Sequence, residues 1–249
     1  HEDGHNLMIA STLPTCQAYD PTFSYELAVI IQDGMKRMFT DDEDIFYYIT
    51  LMNENYTHPE MPKGVEEGIR KGAYLFKKAE DTKAPKVQLM GSGTIFREVL
   101  AAADILKEEF GVESDIWSVL GINELHRDGV DTDRYNLLNP TKKAKKSYLS
   151  TIMEGHDGPI VISTDYIRAY PEQIRRLLPT TNVQVLGTDG YGRSDTRAAL
   201  RKFFEVGRYH VALAALKGLA DDGKIDRKVV ADAMKKFDID SNKPNPLHN

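Results

Sequence analysis

The feature that most constrains the fold is the alternation of short, β-rich apolar runs with longer stretches of helical spacing. The runs that have the composition of strands are 45–51, 87–90, 115–119, 159–163 and 183–187. The first is nearly continuous in apolar and aromatic residues, which predicts a strand that is covered on both faces. The alternation indicates an α/β architecture in which a parallel or mixed sheet is flanked by helices.

Helical spacing predicts amphipathic helices between these strands. The first begins near Asp20, which can cap it. The apolar residues on one face of this helix are Leu27, Ala28, Ile31, Met35 and Met38. The helix that follows the strand 87–90 has the apolar stripe Ile95, Val99, Ala102 and Leu106. Further helices are predicted at 64–80, 165–178 and 195–206, and after Asp226, which can cap the last one.

Residues 53–63 contain two prolines and neither a helical nor a strand period. Such a segment is typical of a linker. The sequence therefore predicts two domains, residues 1–62 and residues 63–249.

Charge and composition exclude several classes of protein. The 249 residues carry a net charge of −6 with no basic patch typical of nucleic-acid binding, and no apolar run is long enough to cross a bilayer. The single cysteine, Cys16, cannot form an internal disulfide, which favours a reducing cytoplasm. Because the chain begins without Met or a signal peptide, we expect it to be a fragment of a longer protein.

The first five residues, His1-Glu-Asp-Gly-His5, match the H-E-x-x-H pattern of zinc proteases. That pattern requires a helix that brings both imidazoles to one face, whereas Asp3 and Gly4 occupy its middle here and no third ligand is apparent. We therefore predict no metal site at this motif. From the residues alone, two surface histidines near a carboxylate are the favoured interpretation.

Two glycine-containing loops allow more than one interpretation. Gly91-Ser-Gly93 lacks the third glycine of a dinucleotide fingerprint, so a tight turn is favoured over a phosphate site. In Gly187-Thr-Asp-Gly-Tyr-Gly-Arg-Ser-Asp195, Ser194 or Asp195 can cap the next helix, and Arg193 or Arg197 could contact an oxyanion or phosphate. Capping is the favoured interpretation. The basic run Lys142–Lys146 is typical of a solvated loop, with docking of an acidic partner as the alternative.

The order and the residues of several motifs resemble those of one family along essentially the whole chain. These motifs are His1-Glu-Asp-Gly-His5, Cys16-Gln-Ala-Tyr-Asp-Pro21, Asn53-Glu-Asn-Tyr56, Glu66-Glu-Gly-Ile-Arg-Lys-Gly72, Gly91-Ser-Gly93, Ser163-Thr-Asp-Tyr166, Gly187-Thr-Asp-Gly-Tyr-Gly-Arg-Ser-Asp195 and Val229-Val-Ala-Asp-Ala233. They are similar to the carboxy-terminal part of the homodimeric bacterial pyruvate dehydrogenase first component, the decarboxylating enzyme of the transketolase-like superfamily.

The resemblance implies that residues 1–62 are the end of a pyrimidine-binding domain with a parallel sheet. Residues 63–249 would form a transketolase-type carboxy-terminal domain with a mostly parallel mixed sheet flanked by helices. The implied activity is decarboxylation of pyruvate on thiamine diphosphate with magnesium, followed by reductive acetylation of a lipoyl group. The implied partners are a second copy of the chain and the dihydrolipoyl acetyltransferase core with its lipoyl domains, with no nucleic acid and no membrane.

The same resemblance assigns His1 to positioning the substrate or an intermediate, and an imidazole suits this task because its protonation changes near neutral pH. His5 has a supporting place in the motif, and Asp3 has no assigned role. The family's Gly-Asp-Gly motif and downstream asparagine, which hold the magnesium diphosphate, are absent from this chain. We therefore expect no cofactor-binding residues here, and no thiamine diphosphate binding or pyruvate decarboxylation by these residues alone.

Two other functions remain open. The chain could be a non-catalytic interaction module that docks other subunits of a 2-oxo acid dehydrogenase complex through its acidic surface or Lys142–Lys146. Alternatively, the enzyme could act on another 2-oxo acid, or on a sugar phosphate as transketolase does.

Overall fold

The computed structural model describes residues 4–80 and 82–248. Its strands are β1 (Cys16–Tyr19), β2 (Phe46–Ile49), β3 (Tyr74–Lys77), β4 (Lys86–Gly91), β5 (Glu113–Ser118), β6 (Ile160–Ser163) and β7 (Val183–Leu186). Its α-helices are α1 (Asn6–Ala10), α2 (Ser24–Met35), α3 (Glu66–Lys71), α4 (Gly93–Phe110), α5 (Ile122–Leu138), α6 (Tyr148–Ile152), α7 (Ala169–Glu172), α8 (Arg197–Phe204), α9 (Arg208–Asp221) and α10 (Arg227–Lys236). A π-helical turn, Lys36–Thr40, extends α2, and 3₁₀ turns cover Arg175–Leu177 and Pro246–His248.

The strands form two sheets. β1 and β2 pair in parallel, and the other five follow the order β3-β5-β4-β6-β7. In the larger sheet only β3 is antiparallel to its neighbour. The α/β architecture with a mostly parallel mixed sheet is thereby confirmed.

Side chains alternate between the two faces of the larger sheet, as the period of a strand requires. Leu89 and Val161 pack on one face against α4 and α9, where Ile95, Val99, Ala102 and Leu106 of α4 are completely buried. This confirms the predicted stripe of that helix. Met90 and Ile162 pack on the opposite face against α5 and α6.

The helix predicted at 64–80 is wrong in its second half. α3 ends at Lys71 because Gly72 adopts a left-handed conformation, with φ of 100°. A β-carbon at this position would lie 2.4 Å from the carbonyl oxygen of Gly121. The chain turns there and enters β3 at the edge of the sheet. The helix at 165–178 is likewise reduced to α7 and a 3₁₀ turn. Pro171 has no N–H to donate to the carbonyl of Ile167, so a regular helix cannot begin at 165.

The apolar face predicted for α2 is not the buried one. Ile31 and Met35 are 45% and 59% exposed, whereas Glu26, Ile30 and Gly34 face the interior. Asp20 is not the cap either, because the position before the helix is Phe23.

β2 is not covered on both faces in the described structure. Phe46 and Tyr48, which alternate along it, are exposed.

At the other end of the chain, the side chain of Asp226 accepts a hydrogen bond from the N–H of Lys228, which confirms the predicted cap of α10.

Candidate functional site

A cavity of about 280 Å³ lies where the carboxyl ends of strands from both sheets meet. It is lined by segments that follow β2, β4, β6 and β7, and by one side of α8. Its wall includes Gly4, Leu51, Met52, Asn53, Thr94, Asp165, Thr188, Arg193, Arg197 and Arg201. We call it the edge cavity. Ligands of parallel α/β sheets bind at this edge, so it is the candidate functional site.

The first described residues of the chain enter this cavity. The carbonyl oxygen of Gly4 accepts a hydrogen bond from the N–H of Ile167 at 3.0 Å. A β-carbon on Gly4 would lie 3.1 Å from the carbonyl oxygen of Thr188. The segment is thus held closely between the loops that follow β6 and β7.

Of the two histidines predicted to serve the site, His1 lies outside the described residues, as does Asp3. His5 is half-buried next to Gly4 and precedes α1, which begins at Asn6. His5 therefore lies outside α1, and the other residues of the H-E-x-x-H motif up to Asp3 lie outside the described residues, so the absence of a metal at this motif stays a prediction. Within residues 4–80 and 82–248, no group of three or more His, Cys, Asp or Glu side chains could hold a metal ion.

Arginines of α8 form one wall of the edge cavity. Arg197 donates to the carbonyl oxygen of Asn53 at 3.0 Å and lies 3.5 Å from the carboxylate of Glu54. Arg201 donates to Glu98 and to the hydroxyl of Thr94, each at 3.0 Å. These bonds fix both guanidinium groups against segments of the two sheets.

The cap of α8 differs from the predicted one. Thr196, rather than Ser194 or Asp195, accepts from the N–H of Ala199. Arg193 is instead placed in the cavity wall, with its guanidinium 5.4 Å from the centre of the Phe203 ring.

Next to the cavity, Asp20 is a buried carboxylate at the junction of the two sheets. One of its oxygens accepts from the hydroxyl of Thr50 at 2.7 Å, and the other accepts from the hydroxyl of Ser92, also at 2.7 Å. Tyr166 donates from a longer distance of 3.4 Å. Burial raises the pKa of Asp20 to about 6, although the hydrogen bonds from Thr50 and Ser92 lower it. Three motifs that are far apart in sequence therefore converge on one carboxylate.

Removing the charge of Asp20 is expected to stabilise the chain near neutral pH. The folded pKa of about 6 exceeds the ordinary 3.8, so the stability associated with protonated Asp20 is fully present below 3.8 and is lost as the pH rises through 6. A shift of this size corresponds to about 3 kcal/mol. In urea titrations, Asp20→Asn should gain about 2 kcal/mol over the parent at pH 7.5 and little at pH 4.

The matched control for this prediction is Asp104→Asn, which alters an exposed aspartate of α4. It should leave the pH dependence of stability unchanged. Equal stability of Asp20→Asn and the parent at both pH values would contradict the buried-charge account.

The sequence did not predict that Asp20, Thr188 and Arg201 belong to this region. Asp20 was assigned to a cap, because an aspartate before a helical stretch is usually one. The position of Asp20 directly after a strand was the available signal, since that is where a parallel sheet places functional side chains.

Comparisons with known proteins agree with this fold. Residues 72–207 match the family model of the transketolase-like TK C-terminal domain. The structure is similar to transketolase from Campylobacter jejuni, with a TM-score of 0.59 and 17% identity over 87% of this chain and 28% of that one. Transketolase from Leishmania mexicana is also similar, with a TM-score of 0.54 and 13% identity over 89% of this chain and 28% of that one. The chain therefore belongs to the transketolase-like family.

Within this family the sequence is similar to one group of enzymes. Residues 1–59 match the model of the pyruvate dehydrogenase E1 component middle domain. Pyruvate dehydrogenase E1 components are 57% identical in Cupriavidus necator, 55% in Pseudomonas aeruginosa and 50% in Escherichia coli, each over 99% of this chain. The resemblance noted from the motifs is thereby confirmed. The chain spans 28% of the length of each of these relatives.

No helix in the described part of the chain is both long and apolar enough to cross a membrane.

Proposed function

We propose that the chain is the carboxy-terminal part of a pyruvate dehydrogenase E1 component, which decarboxylates pyruvate and reductively acetylates the lipoyl group of an acyltransferase in the cytoplasm. The observation that carries this proposal is the 50–57% identity to bacterial E1 components over 99% of the chain. We propose the domain boundary between residues 62 and 63. It is supported by the gap between the two family matches, since the first match ends at residue 59 and the second begins at residue 72.

In this proposal His1 donates a hydrogen bond to the substrate carboxylate, or moves a proton beside it, and His5 supports the same segment. An imidazole can do both near neutral pH. The supporting observation is that Gly4, three residues after His1, lies in the wall of the edge cavity. The hydrogen bond between Gly4 and Ile167 holds this segment to the carboxy-terminal domain.

The edge cavity does not fit a magnesium diphosphate site. Magnesium is held by carboxylate oxygens together with phosphates, whereas the acidic side chain in this wall, Asp165, is outweighed by Arg193, Arg197 and Arg201, whose positive charges disfavour a cation. We therefore propose that thiamine diphosphate and magnesium, whose chemistry supplies the electron sink, are bound by the remainder of the enzyme. The 249 residues alone are then expected to bind no cofactor and to decarboxylate no pyruvate.

The proposed partners are a second copy of the chain and the dihydrolipoyl acetyltransferase core. An apolar stripe on α2 and its π-helical extension, formed by Ile31, Met35 and Phe39, is exposed, with Phe39 at 79%. Such a stripe is typical of a surface that another protein covers, which supports the homodimer. Lys142–Lys146 is exposed throughout, but Lys145 is held by hydrogen bonds with Asn136. This order within the basic loop gives the interaction-module alternative no specific support.

Replacing the first histidine tests the proposal in the full-length enzyme. We expect His1→Ala to lower kcat/KM for pyruvate about 100-fold, the usual size of a lost acid–base or positioning group. The affinity for thiamine diphosphate should stay unchanged. Initial rates with pyruvate, 2-oxobutanoate and a sugar phosphate, together with calorimetry of cofactor binding, measure both effects.

The matched control is His248→Ala, which alters an exposed histidine near the end of the chain. Full activity of His1→Ala would refute the role of His1, whereas a preference for the sugar phosphate would refute the pyruvate assignment. Stoichiometric binding of thiamine diphosphate by the 249 residues alone would refute the proposal that the remainder of the enzyme binds the cofactor.

A further inference from the structure

The surroundings of the edge cavity carry an excess of positive charge in a chain whose net charge is −6. Two buried or half-buried carboxylates each bind two arginines. Glu54 pairs with Arg97 and Arg197, and Glu98 pairs with Arg201 and Arg208. Each trio leaves one positive charge uncompensated.

Arg193 adds a further charge to this wall. In the described part of the chain it makes no ion pair, and its recorded contact is with the face of Phe203. The acidic residue in the wall of the edge cavity is Asp165. In the wall of the edge cavity itself, three arginines accompany this one acidic residue. Counted with both trios and with the neighbouring Asp20, the surroundings hold five arginines and four acidic residues. A concave site with such an excess attracts anions.

A neutral donor is also available in the wall. Thr188 follows β7, and its hydroxyl oxygen is buried without a hydrogen-bond partner among the residues that the structure describes. A buried hydroxyl without a partner costs free energy, and a bound oxyanion would accept its hydrogen bond. Arginine and hydroxyl donors around one cavity are the combination that recognises carboxylate and phosphate oxygens.

The edge cavity adjoins a larger one of about 840 Å³. Arg197 and Arg201 line both. The apolar part of the larger cavity is formed by Tyr209, Phe237, Ile239 and Pro244. Two of its lysines are paired locally, since Lys243 lies 3.0 Å from Glu205 and Lys202 lies 3.1 Å from Asp238. The larger cavity therefore suits an uncharged, apolar or ring-containing group.

We propose that these two cavities form a metabolite-binding site that takes a small molecule with a phosphate or carboxylate head and an apolar body. The head binds Arg193, Arg197 and the hydroxyl of Thr188, and the body lies against Tyr209 and Phe237. The edge cavity is also the one beside which His1 is proposed to act, but the head-group site is argued from Arg193, Arg197 and Thr188, which the proposed reaction does not use.

The test uses calorimetry with the full-length enzyme, saturated with thiamine diphosphate and magnesium so that a diphosphate site elsewhere cannot contribute. The probes are inorganic phosphate, acetate and phenyl phosphate. We expect saturable binding of phosphate or acetate, and whichever binds identifies the head group. Phenyl phosphate should bind about tenfold more tightly than inorganic phosphate, because its ring buries apolar surface.

Three variants distinguish this site from general anion attraction. Arg193→Gln should weaken binding about tenfold through loss of a charge-assisted bond, and Thr188→Val should weaken it less. Arg227→Gln, at the start of α10 and outside the lining of both cavities, is the matched control and should bind as the parent does. Absence of saturable binding by all three probes, or equal affinities in Arg193→Gln and the control, would overturn the site. Equal affinities for phenyl phosphate and phosphate would overturn the role of the larger cavity.

Discussion

Replacing Glu26 by alanine is expected to lower the free energy of unfolding by about 4 kcal/mol, because it leaves several buried donors without an acceptor. Glu26 is completely buried on α2. One of its oxygens accepts from the N–H groups of Thr22 and Phe23 at 2.6 and 2.9 Å. The other accepts from the hydroxyls of Tyr74 and Ser118, both at 2.7 Å. The carboxylate thus joins α2 to β3 and β5 of the larger sheet.

Urea-induced unfolding of the chain, followed by circular dichroism, measures this loss. Glu26→Gln should lose much less than Glu26→Ala. Its carbonyl can accept from the two backbone N–H groups while the hydroxyls rotate to accept from its amide, and it removes a charge that burial disfavours, since burial raises the pKa of Glu26. Glu108→Ala, an exposed glutamate on α4, provides the helical control and should change stability by no more than about 0.5 kcal/mol. If Glu26→Ala were no less stable than Glu108→Ala, the carboxylate would not join these elements.

The burial of regularly spaced apolar residues could be predicted from the sequence, whereas the burial of polar residues could not. The stripe Ile95, Val99, Ala102 and Leu106 was predicted correctly because every fourth or third residue is apolar and the helix packs on a sheet. The same reasoning failed for α2, where Ile31 is exposed and Glu26 is buried. Glu26 tolerates burial because Tyr74 and Ser118, which are distant in sequence, supply donors in addition to two nearby backbone N–H groups.

The motifs of the candidate site could be identified from the sequence, but their arrangement in space could not. The first motif and the two glycine loops were identified from sequence, but their convergence at one edge depends on the parallel order of β4, β6 and β7. Helices α5 and α9 were not predicted. In α5 a polar majority with Gly129 in the middle obscures the buried positions Ile122 and Leu125. The excess of arginine around the edge cavity arises from residues of α4 and α8 that lie about a hundred positions apart, a spacing on which local sequence patterns give no information.

Substituting Gly93 by alanine should be as damaging as losing Glu26, and for a different physical reason. Gly93 has a φ of +50°, and a β-carbon there would lie 2.4 Å from both carboxylate oxygens of Asp20. Asp20 cannot move away easily, because the hydroxyls of Thr50 and Ser92 hold its two oxygens. Backbone strain of 1–2 kcal/mol and overpacking of 1–3 kcal/mol together predict a loss of about 4 kcal/mol in the free energy of unfolding.

Gly111→Ala separates the two contributions. Gly111 also has a positive φ, +62°, but no atom lies within 4 Å of its virtual β-carbon, so this substitution should cost only the backbone strain of about 1–2 kcal/mol. The clash itself is measured by a double-mutant cycle with Asp20→Ala, which removes the carboxylate that obstructs residue 93. If the clash is real, Gly93→Ala should cost much less in the Asp20→Ala background than in the parent, whereas Gly111→Ala should cost the same in both. Equal costs for Gly93→Ala in the two backgrounds would show that the close approach of Gly93 to Asp20 does not constrain the junction between the sheets.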